Sequence, residues 1–250
     1  MQTDTPSTTP LSPGQAGASS TAAAPLARTV LVAGATGLVG REALRQCLQD
    51  PTVSQVRALV RKPMSPEALL GTPAVPHVDK LRVCVVDFDN LARHTEVFKV
   101  DVVFCALGTT IRKAGSQAAF RQVDFDYPLQ IARLARAQGA RQFLLVSALG
   151  ASATSKVFYN RIKGELEEAV RQIDFDHCCV AQPSLLVGQR EEFRPGERIG
   201  LWLARLLGAM LPPRYRPVQA RKVAAGLLAA ARTPRAGWHV LGNARLRRMR

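Results

Sequence analysis

Short, nearly unbroken apolar runs recur along the chain at 29–33, 56–60, 81–86, 102–106, 143–147, 178–181 and 238–241. Between them lie stretches whose apolar residues return every three or four positions, at 38–49, 120–138, 155–172, 198–210 and 220–231. The short runs have the length and composition of strands covered on both faces, and the longer periodic stretches have that of helices packed along one stripe. Their alternation predicts an α/β fold: a doubly wound, Rossmann-type parallel sheet with helices on both faces, in a single domain with small substrate-side elements toward the C-terminus. Ligands in such a sheet bind beyond the carboxyl ends of the strands.

Local signals set the boundaries. Pro51 after Asp50 stops the first helix, and Gly139 follows the second as a left-handed cap would. The stretch 61–80 carries Pro63, Pro66, Pro73 and Pro76 and is expected to be an extended connection. Residues 1–28 hold almost no charge and little but Ser, Thr, Pro, Ala and Gly, so they are expected to form a disordered leader. The domain then spans 29–242, with substrate-side elements from about 184, and 243–250 is a basic tail. The leader lacks the features of a secretory signal or a transit peptide, which makes cytoplasmic the default expectation. No apolar run approaches the ~18 residues that cross a bilayer, and a soluble protein with no membrane partner is expected. The five cysteines show no ligand spacing, so free thiols and no metal are expected.

Charge adds one feature. Of a net +15, the segment from Arg190 onward supplies 14 Lys and Arg against Glu191, Glu192 and Glu197, a net +11. Such a quarter can attract nucleic acid, an anionic lipid or a phosphorylated ligand. Without a nucleic-acid motif or interleaved aromatics, a solvated surface is the favoured reading, and nucleic acid is not.

The first strand runs into GATGLVG, residues 34–40, which leads directly into a helix. Gly34, Gly37 and Gly40 allow a tight turn, and together with Ala35, Thr36, Leu38 and Val39 they offer backbone N–H groups at a helix N-terminus to a dinucleotide pyrophosphate. A site selective for NAD ends its second strand in an acid; here the strand ends in Arg61 and Lys62, which suit the 2′-phosphate of NADP. At the end of the third strand Asp87 can accept from an adenine amino group and Phe88 can lie near its ring, although such an Asp equally caps a following helix. At the end of the fourth, CALGTT, Leu107, Gly108 and Thr109 border the cofactor, Gly108 leaving room for a ribose and Thr109 offering a hydroxyl.

At the reacting end, FYNRIKG places Tyr159 and Lys163 one helical turn apart, beside a core stripe of Phe158, Ile162, Leu166, Ala169, Val170 and Ile173. Ser147 ends the fifth strand on the same carboxyl edge as the glycines. A phenol works as an acid or base near neutrality when a neighbouring cation favours its phenolate, and a serine hydroxyl can hydrogen-bond the substrate oxygen. Ser147, Tyr159 and Lys163 are thus the candidate catalytic residues, with Pro183 and Ser184 reaching the nicotinamide side.

Taken in order, these motifs resemble the short-chain dehydrogenase/reductase superfamily. VVDFDNL, VDFDYPLQIARLA with FLLVSALGA, and FYNRIKGELEEAV leading to QPSLLVG and FRPGE resemble, more narrowly, its atypical NADPH-binding members of the HIV Tat-interacting-protein type. The resemblance covers roughly 29–231 and implies the same assignments for the glycine turn, Arg61, Lys62, Asp87, Phe88, Ser147, Tyr159 and Lys163. Asp124 departs from it: many superfamily members carry an asparagine there, so a proton relay through that side chain does not carry over. The functional expectation is an NADPH-dependent oxidoreductase acting on a carbonyl or secondary alcohol. The alternatives are an NADPH-binding regulator that contacts a protein through its basic quarter, and nucleic-acid binding through 245–250. The stripe Ile199, Trp202, Leu203, Leu206, Leu207 and Met210 is core or the roof of a partly apolar substrate pocket.

Overall fold

Each of the seven apolar runs becomes a strand of one sheet. The computed structural model describes residues 27–71, 73–188 and 212–249; residues 1–26 of the leader, the 198–210 stripe and the FRPGE segment lie outside these described residues, and Arg28, placed in the leader by the sequence, already belongs to the first strand. The chain runs β1 (Arg28–Ala33), α1 (Leu38–Gln49), β2 (Val53–Val60), α2 (Pro66–Leu70), β3 (Leu81–Val85), β4 (Val102–Cys105), α3 (Ile111–Ala114), α4 (Gln117–Arg121), α5 (Tyr127–Ala137), β5 (Gln142–Val146), α6 (Phe158–Arg171), β6 (His177–Gln182), β7 (Leu186–Val187), β8 (Val218–Gln219), α7 (Ala220–Arg232), β9 (Gly237–Gly242) and α8 (Asn243–Leu246). The sheet order is β3-β2-β1-β4-β5-β6-β9, with every neighbouring pair parallel. Strand order reverses beside β1, so the crevice beyond β1 and β4 is the topological switch point where this architecture takes ligands.

Strand alternation sorts the core into two layers. Val30, Val32, Val102, Phe104, Leu144 and Val146 face the α1 and α7 side, whereas Leu31, Ala33, Val103, Cys105, Phe143 and Leu145 face α5 and α6. Each buried Val or Leu contributes about 1.5–3 kcal/mol, so the rigid centre of the sheet is where the site is anchored. The same alternation turns the next residue of β5, Ser147, toward α6.

Three departures from the sequence expectation have local causes. The connection 61–80 is not wholly extended: Ser65 Oγ accepts from Ala68 N at 3.2 Å and Pro66 occupies the first turn, which starts the short helix α2. The predicted helix 120–138 is divided into α4, a π turn (Gln122–Asp126) and α5. Pro128 explains the division, because it has no N–H to give the Asp124 carbonyl and its ring crowds that carbonyl. The basic tail, finally, starts as helix α8, with Asn243 and Leu246 buried against the domain. Gly139 does take the left-handed conformation, φ 94°.

Candidate functional site

The glycine turn is a backbone device. Gly34 has φ 81°, and a Cβ there would stand 2.5 Å from the Ala106 carbonyl carbon at the mouth of β4. A Cβ on Gly40 would stand 2.1 Å from the Gly34 oxygen, so α1 can leave β1 this closely only with glycine in place. Gly37 caps α1 without a side-chain hydrogen bond, and the first turn holds no acid. Thr36 and Gly37 are exposed and Ala35 is buried. The Gly37 N–H donates to the Gly34 carbonyl at 2.9 Å, and no side chain caps the start of α1, which fits a pyrophosphate bound by the N–H groups that follow.

Arg61 and Lys62 stand exposed just past β2. Asp87, also exposed, caps the 3-10 segment Phe88–Phe98: its carboxylate accepts from Asp89 N at 3.0 Å and from Asn90 Nδ2 at 2.7 Å, which lowers its pKa. Phe88 does not project into the cleft. It is a core residue, 6% exposed, tilted against the Tyr127 ring at 5.4 Å. Tyr127 in turn donates to Asp89 Oδ1 at 2.5 Å, and burial with that hydrogen bond pushes its phenol up to about 12.

The reacting end is made of side chains. Tyr159, Lys163 and Glu167 recur every fourth residue and share one side of α6. Lys163 is only 3% exposed, and its Nζ lies 2.8 Å from Asp124 Oδ1 in an ion pair. The other oxygen of Asp124 accepts from Thr109 N at 2.8 Å. Burial works against the ammonium, but the Asp124 carboxylate together with Tyr159 and Cys105 outweighs it and holds the lysine pKa above its ordinary value. Gly108 closes over the pair, for a Cβ there would lie 3.4 Å from Asp124 Oδ1 and 3.7 Å from Lys163 Nζ. These are ordinary contact distances, so the pair by itself does not demand glycine there. The Tyr159 ring leans on the buried Phe120 at 5.8 Å, and among the described residues its hydroxyl has no hydrogen-bond partner.

Ser147 meets α6 two turns beyond Tyr159, at Glu167. It is 5% exposed, and its hydroxyl donates to Glu167 Oε1. Gln182 Nε2 also donates to the two Glu167 oxygens, at 3.1 and 3.0 Å. Burial holds the Glu167 carboxyl above its ordinary pKa, while Ser147, Gln182 and Lys163 pull it down. Glu167 was legible only as the next step of the Tyr159, Lys163 spacing. Near the substrate side Pro183 is buried, its carbonyl accepting from Leu149 N at 2.8 Å, and Ser184 Oγ donates to the Arg216 carbonyl at 2.6 Å. Leu107 packs partly buried against the core.

Residues 34–199, which span both the glycine turn and the α6 network, match the NAD(P)H-binding family. This chain belongs to that family. It is 38% identical over 189 residues to Protein HTATIP2 of Rattus norvegicus, covering 75% of this chain and 73% of that protein. It is 33% identical over 183 residues to Protein fmp52, mitochondrial, of Emericella nidulans, covering 72% and 76%. The protein is thus an NAD(P)H-binding, atypical short-chain dehydrogenase/reductase of the HTATIP2 type. Similar solved structures include a UDP-N-acetylglucosamine 4-epimerase from Methanobrevibacter ruminantium M1 (TM-score 0.65, 13% identity, 87% of this chain and 77% of that one). The PhqB reductase domain from Penicillium fellutanum (TM-score 0.66, 15% identity, 88% and 67%) is another. At these identities the likeness shows the Rossmann fold. The relatives' names also correct one expectation: a cytoplasmic location does not stand, because the fmp52 proteins of Emericella nidulans, Candida albicans and Aspergillus clavatus are named mitochondrial. Among the described residues no helix is long and apolar enough to cross a membrane, and no three His, Cys, Asp or Glu gather as metal ligands would.

Proposed function

We propose that the protein is an NADP-dependent reductase or dehydrogenase that interconverts a carbonyl and a secondary alcohol. The observation that carries this reading is Lys163: a lysine held 3% exposed, beside Tyr159 on α6, in the same domain as an uncovered glycine turn. Lysine is almost never so buried unless its charge has a task or a partner. NADPH, when bound, supplies the hydride. The N–H groups at the start of α1 hold the pyrophosphate, that of Gly37 excepted because it donates to the Gly34 carbonyl at 2.9 Å, and Arg61 and Lys62 hold the 2′-phosphate. Tyr159 passes a proton between its hydroxyl and the substrate oxygen, and Lys163 fixes the electrostatics around it.

Ser147 takes a different part from the one its position in sequence suggests. A hydroxyl has one proton to donate, and Glu167 receives it. We therefore assign Ser147 to anchoring α6 on β5 through Glu167. Ile111, Val157 and Leu185, each at least 42% exposed, lie in the connections that leave β4, β5 and β6 at the carboxyl edge, and they favour a partly apolar substrate.

Parallel titrations with NADPH and NADH, followed by NADPH oxidation against a panel of aldehydes and ketones, test the reading. Preference for NADPH with turnover of a partly apolar carbonyl supports it; equal affinity for both cofactors removes the Arg61 and Lys62 assignment, and binding of neither removes the function. A second reading, a cofactor-dependent binding protein, is favoured by residues 212–249, which carry nine Lys and Arg and no Asp or Glu. It requires capture of an acidic protein partner that depends on NADPH and persists in Tyr159→Phe.

A further inference from the structure

The reductase reading leaves one fully buried charge without a task. Asp124 is 0% exposed, one oxygen paired with Lys163 Nζ at 2.8 Å and the other accepting from Thr109 N at 2.8 Å. An asparagine, the residue many superfamily members carry there, could accept from Thr109 just as well. What the carboxylate adds is charge. The π turn that Pro128 imposes keeps that charge against the lysine, and Gly108 leaves no side chain between the pair and the cleft.

The groups whose charges act on Lys163 Nζ are Asp124 from the π turn, Tyr159 on α6 itself and Cys105 from β4, and Glu167 feels the ammonium in return. Cys105 is wholly buried and stays a neutral thiol. The pair Asp124 and Lys163 is therefore close to neutral where an asparagine would leave a full positive charge. A nicotinamide ring is neutral when reduced and cationic when oxidised, so it would sense that difference in only one of its two states.

We propose that Asp124 is a positioning residue that cancels the charge of Lys163 at the reacting end and thereby sets the affinity of the site for the oxidised cofactor relative to the reduced one. This rests on the reductase reading, which puts the nicotinamide beside Lys163.

The test is binding, not turnover. Dissociation constants of NADP+ and NADPH are measured by calorimetry for the full chain and for Asp124→Asn, Lys163→Met and the double variant. Asp124→Asn is expected to weaken NADP+ relative to NADPH by about tenfold, ~1.4 kcal/mol. Lys163→Met, which leaves the carboxylate alone, is expected to move the ratio the other way, and the double variant to return it close to the parent value. If Asp124→Asn changes both affinities by the same factor, the pair is only structural and the proposal is wrong. Should Asp124→Asn not fold, the opposed shifts of Lys163→Met and the double variant decide the matter, and an unchanged ratio in both overturns it. Failure of the parent chain to bind either form removes the reductase reading and this inference together, whereas normal binding with an unmoved ratio removes this inference alone.

Discussion

At the mouth of β1 the decisive contacts are backbone on backbone: Gly34 against Ala106, and Gly40 against Gly34, at separations that leave no room for a Cβ. At the mouths of β4 and β5 they are side chain on side chain, as Asp124 pairs with Lys163 and Glu167 takes the Ser147 hydroxyl and Gln182. The first arrangement needs only that particular residues be small. The second needs partners from α6, the π turn, β5 and β6 to agree in charge and position. Substitutions should accordingly act differently at the two ends, by steric exclusion at the glycine turn and by electrostatics at α6.

The largest effect expected is at Tyr159. Tyr159→Phe removes the proposed proton donor while keeping the ring on Phe120, so turnover should fall about 100-fold to 10 000-fold with NADPH affinity almost unchanged. Ser147→Ala is the sharper comparison. If Ser147 anchors α6 and does not touch the substrate, its turnover loss stays within about tenfold and appears together with lower thermal stability, because Glu167 loses a donor. A loss from Ser147→Ala as large as that from Tyr159→Phe, in a fully stable protein, would restore the serine to the chemistry.

At the other end, Gly40→Ala puts a methyl 2.1 Å from the Gly34 oxygen. Either α1 shifts or the turn opens, and a loss of about 3 kcal/mol in urea unfolding is expected, with NADPH binding lost beyond detection. Gly237→Ala is a control for glycine replacement as such: it too has positive φ, 88°, but nothing lies within 4 Å of its Cβ, so it should strain the backbone and leave the cofactor site alone. Arg61→Ala and Lys62→Ala should each weaken NADPH binding by about tenfold, ~1.4 kcal/mol, and leave NADH binding unchanged. Equal losses with both cofactors would move the 2′-phosphate contact elsewhere.

What could be read from the sequence follows the same division. All seven strands and the bounds of α1 were legible, since strands covered on both faces must be apolar throughout and a helix ending before Asp50 and Pro51 has no alternative continuation. The glycine turn was legible for the related reason that close backbone approach admits one residue type. Short α2 was hidden because Pro66 marks a helix start as well as a loop. The π turn was signalled by Pro128, but not the direction in which Asp124 would point. Glu167 and the partner of Ser147 were not legible: a glutamate among the other charged residues of α6 reads as a surface residue until β5 and β6 are known to pack over it.

The smallest effect, and the one that isolates the electrostatics of α6, is a pH dependence at Glu167. Burial raises the pKa of this carboxyl above the 4.5 of an exposed glutamate. A carboxyl whose folded pKa is raised favours folding while it is protonated and withdraws that contribution as pH climbs through the folded pKa. Glu167→Gln keeps an acceptor for Ser147 and cannot ionise. Its stability relative to the parent should therefore be similar near pH 4, grow as the pH is raised through the titration of Glu167, and then stay constant; paired urea titrations across this interval measure the difference. Activity should not follow the same curve if Tyr159 and Lys163 carry the chemistry alone. A stability gap that instead shrinks with rising pH would mean that Ser147, Gln182 and Lys163 stabilise the ionised carboxylate by more than burial opposes it, which would make Glu167 a second buried anion beside Lys163 and Asp124 no longer the sole carboxylate balancing its charge.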